Sequence, residues 1–399
     1  MKIVITGYTY IRRNLFEVWE YYKKKDELFF ILPKKWKAKG GTQIFYPPID
    51  TKLKIFKTTT LFWHSKYPIV KGLLKGFMPF LKFKLMMLRF KGYKVLFTAS
   101  EPNLLTTVIN ALLAKLFGYK HVFNFWDVVS SSEKTKLKRK VYDKLVCASI
   151  RLSDGAVCGN HKSAEILKFY VRLCSRASAR ERGNFKIAVF PTSGLDENKF
   201  KPNVEPTFRK ELRLDGKLVY LFAGVFNKQK GVEYLIEAFN QVQKEIHEAH
   251  LLLVGAGPCE TSYKEQVLRY KLEDKVNIVN WIKHERMPEL YSSCDIFIYP
   301  SIKYQGSEEQ FGYAIAEAML TEKPVIASDS GAINELVIPD KNGYFAPEKD
   351  VLKLAESMLK LGQSELLRHK FGAYGRKYVI DHFSHQIIAD KFYDFFKSL

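Results

Sequence analysis

The feature that most constrains this chain is the alternation of short, unbroken apolar runs with helix-length amphipathic segments. In the first half, KIVIT (2–6), LFFIL (28–32), KVLFTA (94–99), KHVFNF (120–125) and KIAVF (186–190) read as strands. In the second half, KLVYLFAG (217–224), HLLLVGAG (250–257), VNIVNW (276–281), IFIYPS (296–301) and PVIASD (324–329) do the same. Continuous Val, Ile and Phe without polar alternation belongs to strands covered on both faces, the condition of a parallel sheet. Between the strands the pattern predicts helices at 103–117, 161–173, 231–247, 261–272, 286–293, 313–321 and 331–338. Such alternation specifies an α/β, doubly wound fold. A chain of 399 residues holds two such domains. The polar, proline-bearing stretch DENKFKPNVEP (196–206) is the natural joint, which puts an N-terminal domain at 1–200 and a second domain from 201 onward. Ligands of doubly wound sheets bind outside the carboxyl ends of the strands. The loops that follow the strands, facing each other across a cleft, are therefore the places to look for function.

Charge divides the chain at the same point. Residues 1–200 hold 38 Lys+Arg against 14 Asp+Glu, a balance of +24; residues 201–399 hold 26 against 28, a balance of −2. Residues 51–100 contain 11 Lys+Arg and no acid. A field of that sign attracts polyanions: nucleic acid, anionic lipid headgroups or phosphorylated substrates. No nucleic-acid-binding module is recognisable, so nucleic acid is not the expected partner. The five cysteines (Cys147, Cys158, Cys174, Cys259, Cys294) are odd in number, far apart and without metal-ligand spacing. They read as reduced thiols of a cytosolic protein, with neither a disulfide frame nor a zinc site. MKIVITGYTY reads as a first strand and not a signal peptide. No uncharged apolar run is long enough to span a bilayer.

Three loops carry candidate chemistry. FAGVFNKQKG (222–231) leaves a strand at Gly224 and presents Lys228 and Lys230 just before a helix start near Gly231. Backbone N–H groups at a helix start, with two ammonium groups beside them, make an anion site; the plain alternative is a solvated basic loop. LLLVGAGP (251–258) has a Gly-x-Gly turn without the third glycine of a dinucleotide fingerprint, and reads as a tight turn at the cleft edge. SEEQFGYAIAEAM (307–319) brackets a Phe-Gly turn with carboxylates and then starts an Ala-rich helix. Glu309 lies in the loop; Glu317 lies within the helix. A helix beginning near Gly312 aims free N–H groups outward, and the two carboxylates can accept hydrogen bonds from hydroxyl groups at either end of one ligand. Glutamates at this spacing usually mark a solvated face, but the Phe-Gly turn, the Ala-rich helix and the preceding Pro300-Ser301 favour a site.

The segment YPSIKYQGSEEQFGYAIAEAMLTEKPVIASDSGAINELV resembles the donor-binding region of the retaining GT-B glycosyltransferases of family four (group 1 type). Glu309 and Glu317 match that family's paired glutamates, with Phe311, Gly312, Ala318, Met319, Gly331 and Glu335 in step. AGVFNKQKG, LLLVGAGP and MPELYSSCDIFIYPS match its other motifs in order. The likeness is clear over 217–345 and thinner in the first half.

The resemblance implies two Rossmann-like domains, the second over 201–380, with a closing helix over 381–399 that crosses back to the first. It implies transfer of a hexosyl group from a UDP- or GDP-sugar, with no metal and no other cofactor. Glu309 would orient the transferred sugar, Glu317 would fix the ribose, and Ile282, in the loop Trp281-Ile282-Lys283, would lie at the base. Lys228, Lys230 and the N–H groups of Phe311, Gly312 and Tyr313 would stabilise the leaving diphosphate, with Glu309 and Lys230 as the catalytic residues, and Gly224 and Gln310 would also lie against the donor. On the acceptor side it points to Gly7, Glu101, Trp126 and Asp127. The chain departs from the family where Val225 stands for a common Arg, Trp126 for a His, and Gly7 for a glycine pair. Two other readings remain: a sugar-nucleotide epimerase on the same fold, and a catalytically weak nucleotide-sugar-binding protein.

The basic stretch KGLLKGFMPFLKFKLMMLRFKGYK (71–94) reads either as a helix on the first sheet with lysine stems laid over apolar neighbours, or as a patch drawn to an anionic membrane. The second reading places the protein in the cytoplasm, peripheral on the inner face of the cell membrane, acting on a lipid-linked or glycan acceptor.

Overall fold

The computed structural model describes residues 1–37, 44–62, 70–128, 136–176 and 185–399. They form two compact units: Met1–Gly194 with His385–Leu399, and Leu195–Ser384.

The first unit is built on β1 (Lys2–Thr6), β2 (Leu28–Pro33), β5 (Lys54–Thr58), β6 (Tyr93–Thr98), β7 (Lys120–Phe125), β8 (Gly155–Cys158) and β9 (Lys186–Val189), with a small antiparallel pair, β3 (Trp36–Lys37) and β4 (Ile44–Phe45), outside the main sheet. The seven main strands are all parallel, in the order β5-β2-β1-β6-β7-β8-β9. Ile3 lies opposite Leu28 on one side and Val95 on the other, so the central strand has no exposed edge. Ile3, Val4, Ile5, Leu96 and Phe97 are wholly buried, as the unbroken apolar runs require. The terminal helix His385–Ser398 belongs to this unit: Phe392 packs 4.6 Å from the Trp19 ring and 5.6 Å from Phe97.

The second unit has β10 (Leu218–Ala223), β11 (Ala249–Val254), β12 (Val276–Val279), β13 (Ile296–Tyr299), β14 (Val325–Ser328) and β15 (Gly343–Ala346), all parallel, in the order β12-β11-β10-β13-β14-β15. Helices Val232–Glu245, Glu260–Arg269, Met287–Ser292, Tyr313–Leu320, Val351–Gly362 and Glu365–Phe383 join and follow them.

Three expectations are corrected. Strands β5, β8 and β15 were not anticipated. The helix expected at 331–338 is only the single turn Ile333–Glu335, because Asn342 captures the backbone there: it accepts from Ile338 N at 2.7 Å and donates to Leu336 O at 2.9 Å. The cysteines are not all free. Cys147 and Cys174 form a disulfide, with Cα atoms 5.6 Å apart. They lie on the helices Lys136–Leu152 and His161–Arg176, which meet through Tyr142 and Tyr170, so sequence distance concealed spatial proximity. Cys158, Cys259 and Cys294 are free thiols.

Candidate functional site

In the second unit the chain runs outward from β10 through β11 to β12, then returns to β13 on the other side and continues to β15. The switch point lies between β10 and β13. At such a point the loops after neighbouring strands diverge to opposite faces and open a crevice for a ligand. Here the diverging loops are two of the three that sequence singled out.

The loop after β10 is fixed locally. Asn227 accepts the Lys230 N–H on its side-chain oxygen at 3.2 Å and caps the turn Lys228–Lys230. Gly231 follows with φ +63°, and a Cβ there would sit 2.0 Å from the Pro300 carbonyl oxygen. Only glycine lets this loop press onto the end of β13. The outcome is that Lys230 points at the last residue of β13 and the loop after it, whereas Lys228 stays exposed.

Lys230 Nζ donates to Tyr299 Oη at 2.6 Å and to Glu309 Oε2 at 2.6 Å. The Tyr299 hydroxyl donates to the same Glu309 oxygen at 3.0 Å. The three groups thus close a ring of hydrogen bonds, with the Lys230 and Glu309 side chains only 14% and 15% exposed. Burial penalises the Lys230 ammonium, but Tyr299 and the Glu309 carboxylate outweigh it and hold its pKa above the ordinary lysine range. Burial, with Glu309 adding to it against Lys230, pushes the Tyr299 hydroxyl up to about 12. Lys230 is therefore a cation and Tyr299 a neutral hydroxyl at neutral pH. Both contacts fall on Oε2; among the described residues Oε1 of Glu309 takes no hydrogen bond. That oxygen can accept from a ligand hydroxyl while the other remains tied down. The Glu309 backbone is pinned as well, its carbonyl accepting from Ala332 N at 2.9 Å.

Glu317, on the fifth residue of the helix Tyr313–Leu320, is held at both oxygens. Tyr291 Oη donates to Oε2 at 2.9 Å, and His284 Nε2 lies 3.1 Å from Oε1. Lys199 Nζ sits 2.8 Å from His284 Nδ1. An ammonium can only donate, so Nδ1 accepts and the Nε2–H donates to Glu317. Glu317 is a fixed acceptor with its remaining lone pairs available.

The other predicted positions fall as follows. Phe311 is buried against Tyr313 and Phe383, at 4.8 and 5.1 Å between ring centroids, so only its backbone can serve a ligand. Gly312 caps the helix with φ +92°, and Gln310 is exposed. Ile282 is half-buried beside an exposed Trp281. Gly224 donates its N–H to Val254 O at 3.0 Å. The Gly-x-Gly turn packs on the first loop: a Cβ on Gly255 would meet the Gly224 carbonyl oxygen at 1.9 Å. Glu308, the remaining carboxylate of the motif, is buried with Lys303 Nζ 3.4 Å away.

In the first unit, Gly7 and Glu101 follow β1 and β6, the two strands that flank that sheet's own switch point. Glu101 Oε1 accepts from Trp126 N at 3.0 Å, and Asp127 Oδ2 accepts from Tyr142 Oη at 2.7 Å. The Trp126 ring lies directly over the Gly159 backbone. Among the described residues no group of three or more His, Cys, Asp and Glu is arranged to hold a metal ion.

Sequence reasoning missed Tyr299, Asn227, His284 and Tyr291. Tyr299 and Tyr291 look like core aromatics in apolar patterns. Asn227, three residues before Lys230, carried a readable capping signal.

Residues 204–378 match a family model described as "Glycosyl transferases group 1". An alpha-D-kanosaminyltransferase of Streptomyces kanamyceticus is 27% identical over 180 residues, 44% of this chain and 45% of that protein. The capsular polysaccharide biosynthesis glycosyltransferase CapM of Staphylococcus aureus is 30% identical over 198 residues, 49% of each. The chain spans about half the length of these curated relatives. Among solved structures, Anabaena Alr3699/HepE in complex with UDP aligns over 100% of both chains with a TM-score of 0.73 and 18% identity. That likeness shows the fold: two parallel-sheet, Rossmann-like α/β domains of the GT-B kind.

Proposed function

We propose that this chain is a retaining glycosyltransferase that moves a hexosyl group from a nucleotide diphosphosugar, a UDP- or GDP-sugar, to a lipid-linked or glycan acceptor. The observation that carries the reading is the Lys230–Tyr299–Glu309 ring at the switch point of the second sheet, with one Glu309 oxygen open. The family match over 204–378 supports it, as does the UDP named in the HepE structure.

The chemistry follows from the charges. As the bond from sugar to phosphate breaks, negative charge grows on the leaving diphosphate. A buried ammonium beside that charge, with backbone N–H groups at the start of a helix, stabilises it most at the transition state. Lys230 and Lys228 supply the ammonium groups, and Phe311 to Tyr313 the N–H groups. Glu309 accepts from a hydroxyl of the transferred sugar through Oε1. Glu317, steadied by Tyr291 and His284, accepts from the ribose, and the segment at Ile282 meets the base. In the first unit the loops after β1, β6 and β7, with Gly7, Glu101, Trp126 and Asp127, take the acceptor. The enzyme works at the inner face of the cell membrane, where a lipid-linked acceptor resides.

The test uses the purified chain, a panel of UDP- and GDP-sugars, and release of the free nucleoside diphosphate. Lys230→Ala and Glu309→Ala are each expected to lower turnover at least about tenfold, the worth of one charged contact made in the transition state. Unchanged turnover in both refutes the assignment. An epimerised nucleotide sugar formed without acceptor refutes the transferase reading. Donor binding with no turnover on any acceptor, water included, leaves a binding protein.

A further inference from the structure

The helix Leu81–Phe90 in the first unit has two apolar faces, and only one of them is used by the fold. Leu81, Leu85 and Leu88 point inward and pack with Val4, Ile31 and Leu96. On the opposite side Phe83, Met86, Met87 and Phe90 are all exposed, Phe90 at 88%. At about 100° per residue these four fall within an arc of roughly 100°. On the same wheel Lys82 and Arg89 border one edge of that arc, and Lys84 and Lys91 the other. Phe80, one residue before the helix, extends the apolar surface at 57% exposure. The neighbouring helix Leu105–Leu116, tied to this one where Arg89 Nε donates to Phe117 O at 3.0 Å, adds exposed Leu112 and Leu116.

We propose that the outer face of the Leu81–Phe90 helix lies in the headgroup region of an anionic bilayer and is the element that docks this protein on its membrane. The proposal rests on the reading of a membrane-bound acceptor for its purpose, but its physics is independent of catalysis. An exposed apolar stripe of this density is costly in water and needs a cover. The cover is identified by charge. Residues 51–100 hold 11 Lys+Arg and no acid, so every ionisable neighbour along this stretch favours an anionic surface. A second copy of the same face would bring lysines against lysines. The lysines already lie as an interfacial helix needs them, with stems along apolar surface and heads at its margin. Lys82 Nζ sits 4.8 Å from the Phe83 ring centroid, and Lys84 Nζ 4.4 Å from Phe56 and 5.2 Å from Phe29. The apolar residues on both faces also explain why the sequence shows no clean amphipathic pattern here.

The experiment is co-flotation of the full chain with vesicles of phosphatidylcholine, with and without phosphatidylglycerol, at low and high salt. The intact chain is expected to float with the anionic vesicles only and to be released by salt. The double variant Phe83→Ser/Phe90→Ser is expected to lose at least about tenfold in vesicle partitioning. Lys82→Glu/Lys91→Glu is expected to lose the preference for anionic lipid. Both variants alter exposed positions, so thermal midpoint and UDP-sugar affinity should stay as in the intact chain. Those two controls separate failure of docking from failure of the donor-site reading. Flotation that ignores lipid charge, or that survives in the Phe83/Phe90 variant, overturns the proposal. So does a concentration-dependent dimer that the same variant abolishes without any flotation of the intact chain.

Discussion

Tyr299→Phe isolates the part of the candidate site that is least explained by packing. The ring of Tyr299 stacks 6.0 Å from Phe222 and 6.1 Å from Phe297, so a phenylalanine keeps every apolar contact and removes only the hydroxyl. The hydroxyl accepts from Lys230 and donates to Glu309. Its loss removes a buried hydrogen bond to a charged carboxylate, worth about 1.5–3 kcal/mol. Part of that returns because Phe is cheaper to bury than Tyr, which leaves about 1–2 kcal/mol. The second unit spans residues 195–384, and for a domain of that size each kcal/mol shifts the midpoint by about 2–4 °C. The expected fall is therefore roughly 2–8 °C. The effect on chemistry should be separable. With Glu309 held by Lys230 alone, the carboxylate loses its fixed angle, and nucleotide-sugar hydrolysis should slow by about tenfold while donor Kd changes by less than about threefold. Scanning calorimetry and a coupled assay for released nucleoside diphosphate read the two quantities. The cycle with Glu309→Ala should show coupling of about 1 kcal/mol in turnover. An unchanged midpoint together with unchanged turnover would refute the idea that Tyr299 sets the pair.

Two further expectations concern the first unit. His121 is fully buried, with Nε2 2.9 Å from Thr98 Oγ1 and Nδ1 2.7 Å from Ser153 Oγ, and burial lowers its pKa to about 3. Because the folded pKa lies below the ordinary 6.5, the unfolded chain takes up a proton first as pH falls, and stability drains away from 6.5 downward towards 3. Between pH 7 and pH 5 the intact chain should lose about 2 kcal/mol more than His121→Gln in urea unfolding followed by tryptophan fluorescence; equal losses would contradict the buried neutral imidazole. The Cys147–Cys174 bridge closes a loop of 27 residues, for which chain entropy gives about 3.5 kcal/mol. Cys147→Ser/Cys174→Ser should lower the first unit's unfolding free energy by that order and leave donor binding by the second unit unchanged; an unchanged unfolding curve would mean the bridge does not form in solution.

Both sheets were legible because buried parallel strands announce themselves by composition alone. The strands that escaped notice lacked that mark. KIFKT in β5 carries two lysines on a sheet edge, and GAVC in β8 and GYFA in β15 each start on glycine and hold at most one β-branched residue. In the candidate site, Lys230, Glu309 and Glu317 were readable because a lysine beside a glycine and a carboxylate before a helix are chemically marked. Tyr299, Tyr291 and His284 were not, because an aromatic ring at a strand end reads as core until its hydroxyl is seen to face a carboxylate. The disulfide and the outer face of the Leu81–Phe90 helix depend on which helices the fold brings together and which it leaves uncovered.

The most direct measurement is a structure of the chain with a bound UDP-sugar. It should place the diphosphate within hydrogen-bond reach of Lys230 and of the N–H groups from Phe311 to Tyr313, with a sugar hydroxyl on Glu309 Oε1. A nucleotide bound away from the β10–β13 switch point, or a Lys230–Glu309 pair with no ligand atom against either side chain, would contradict it.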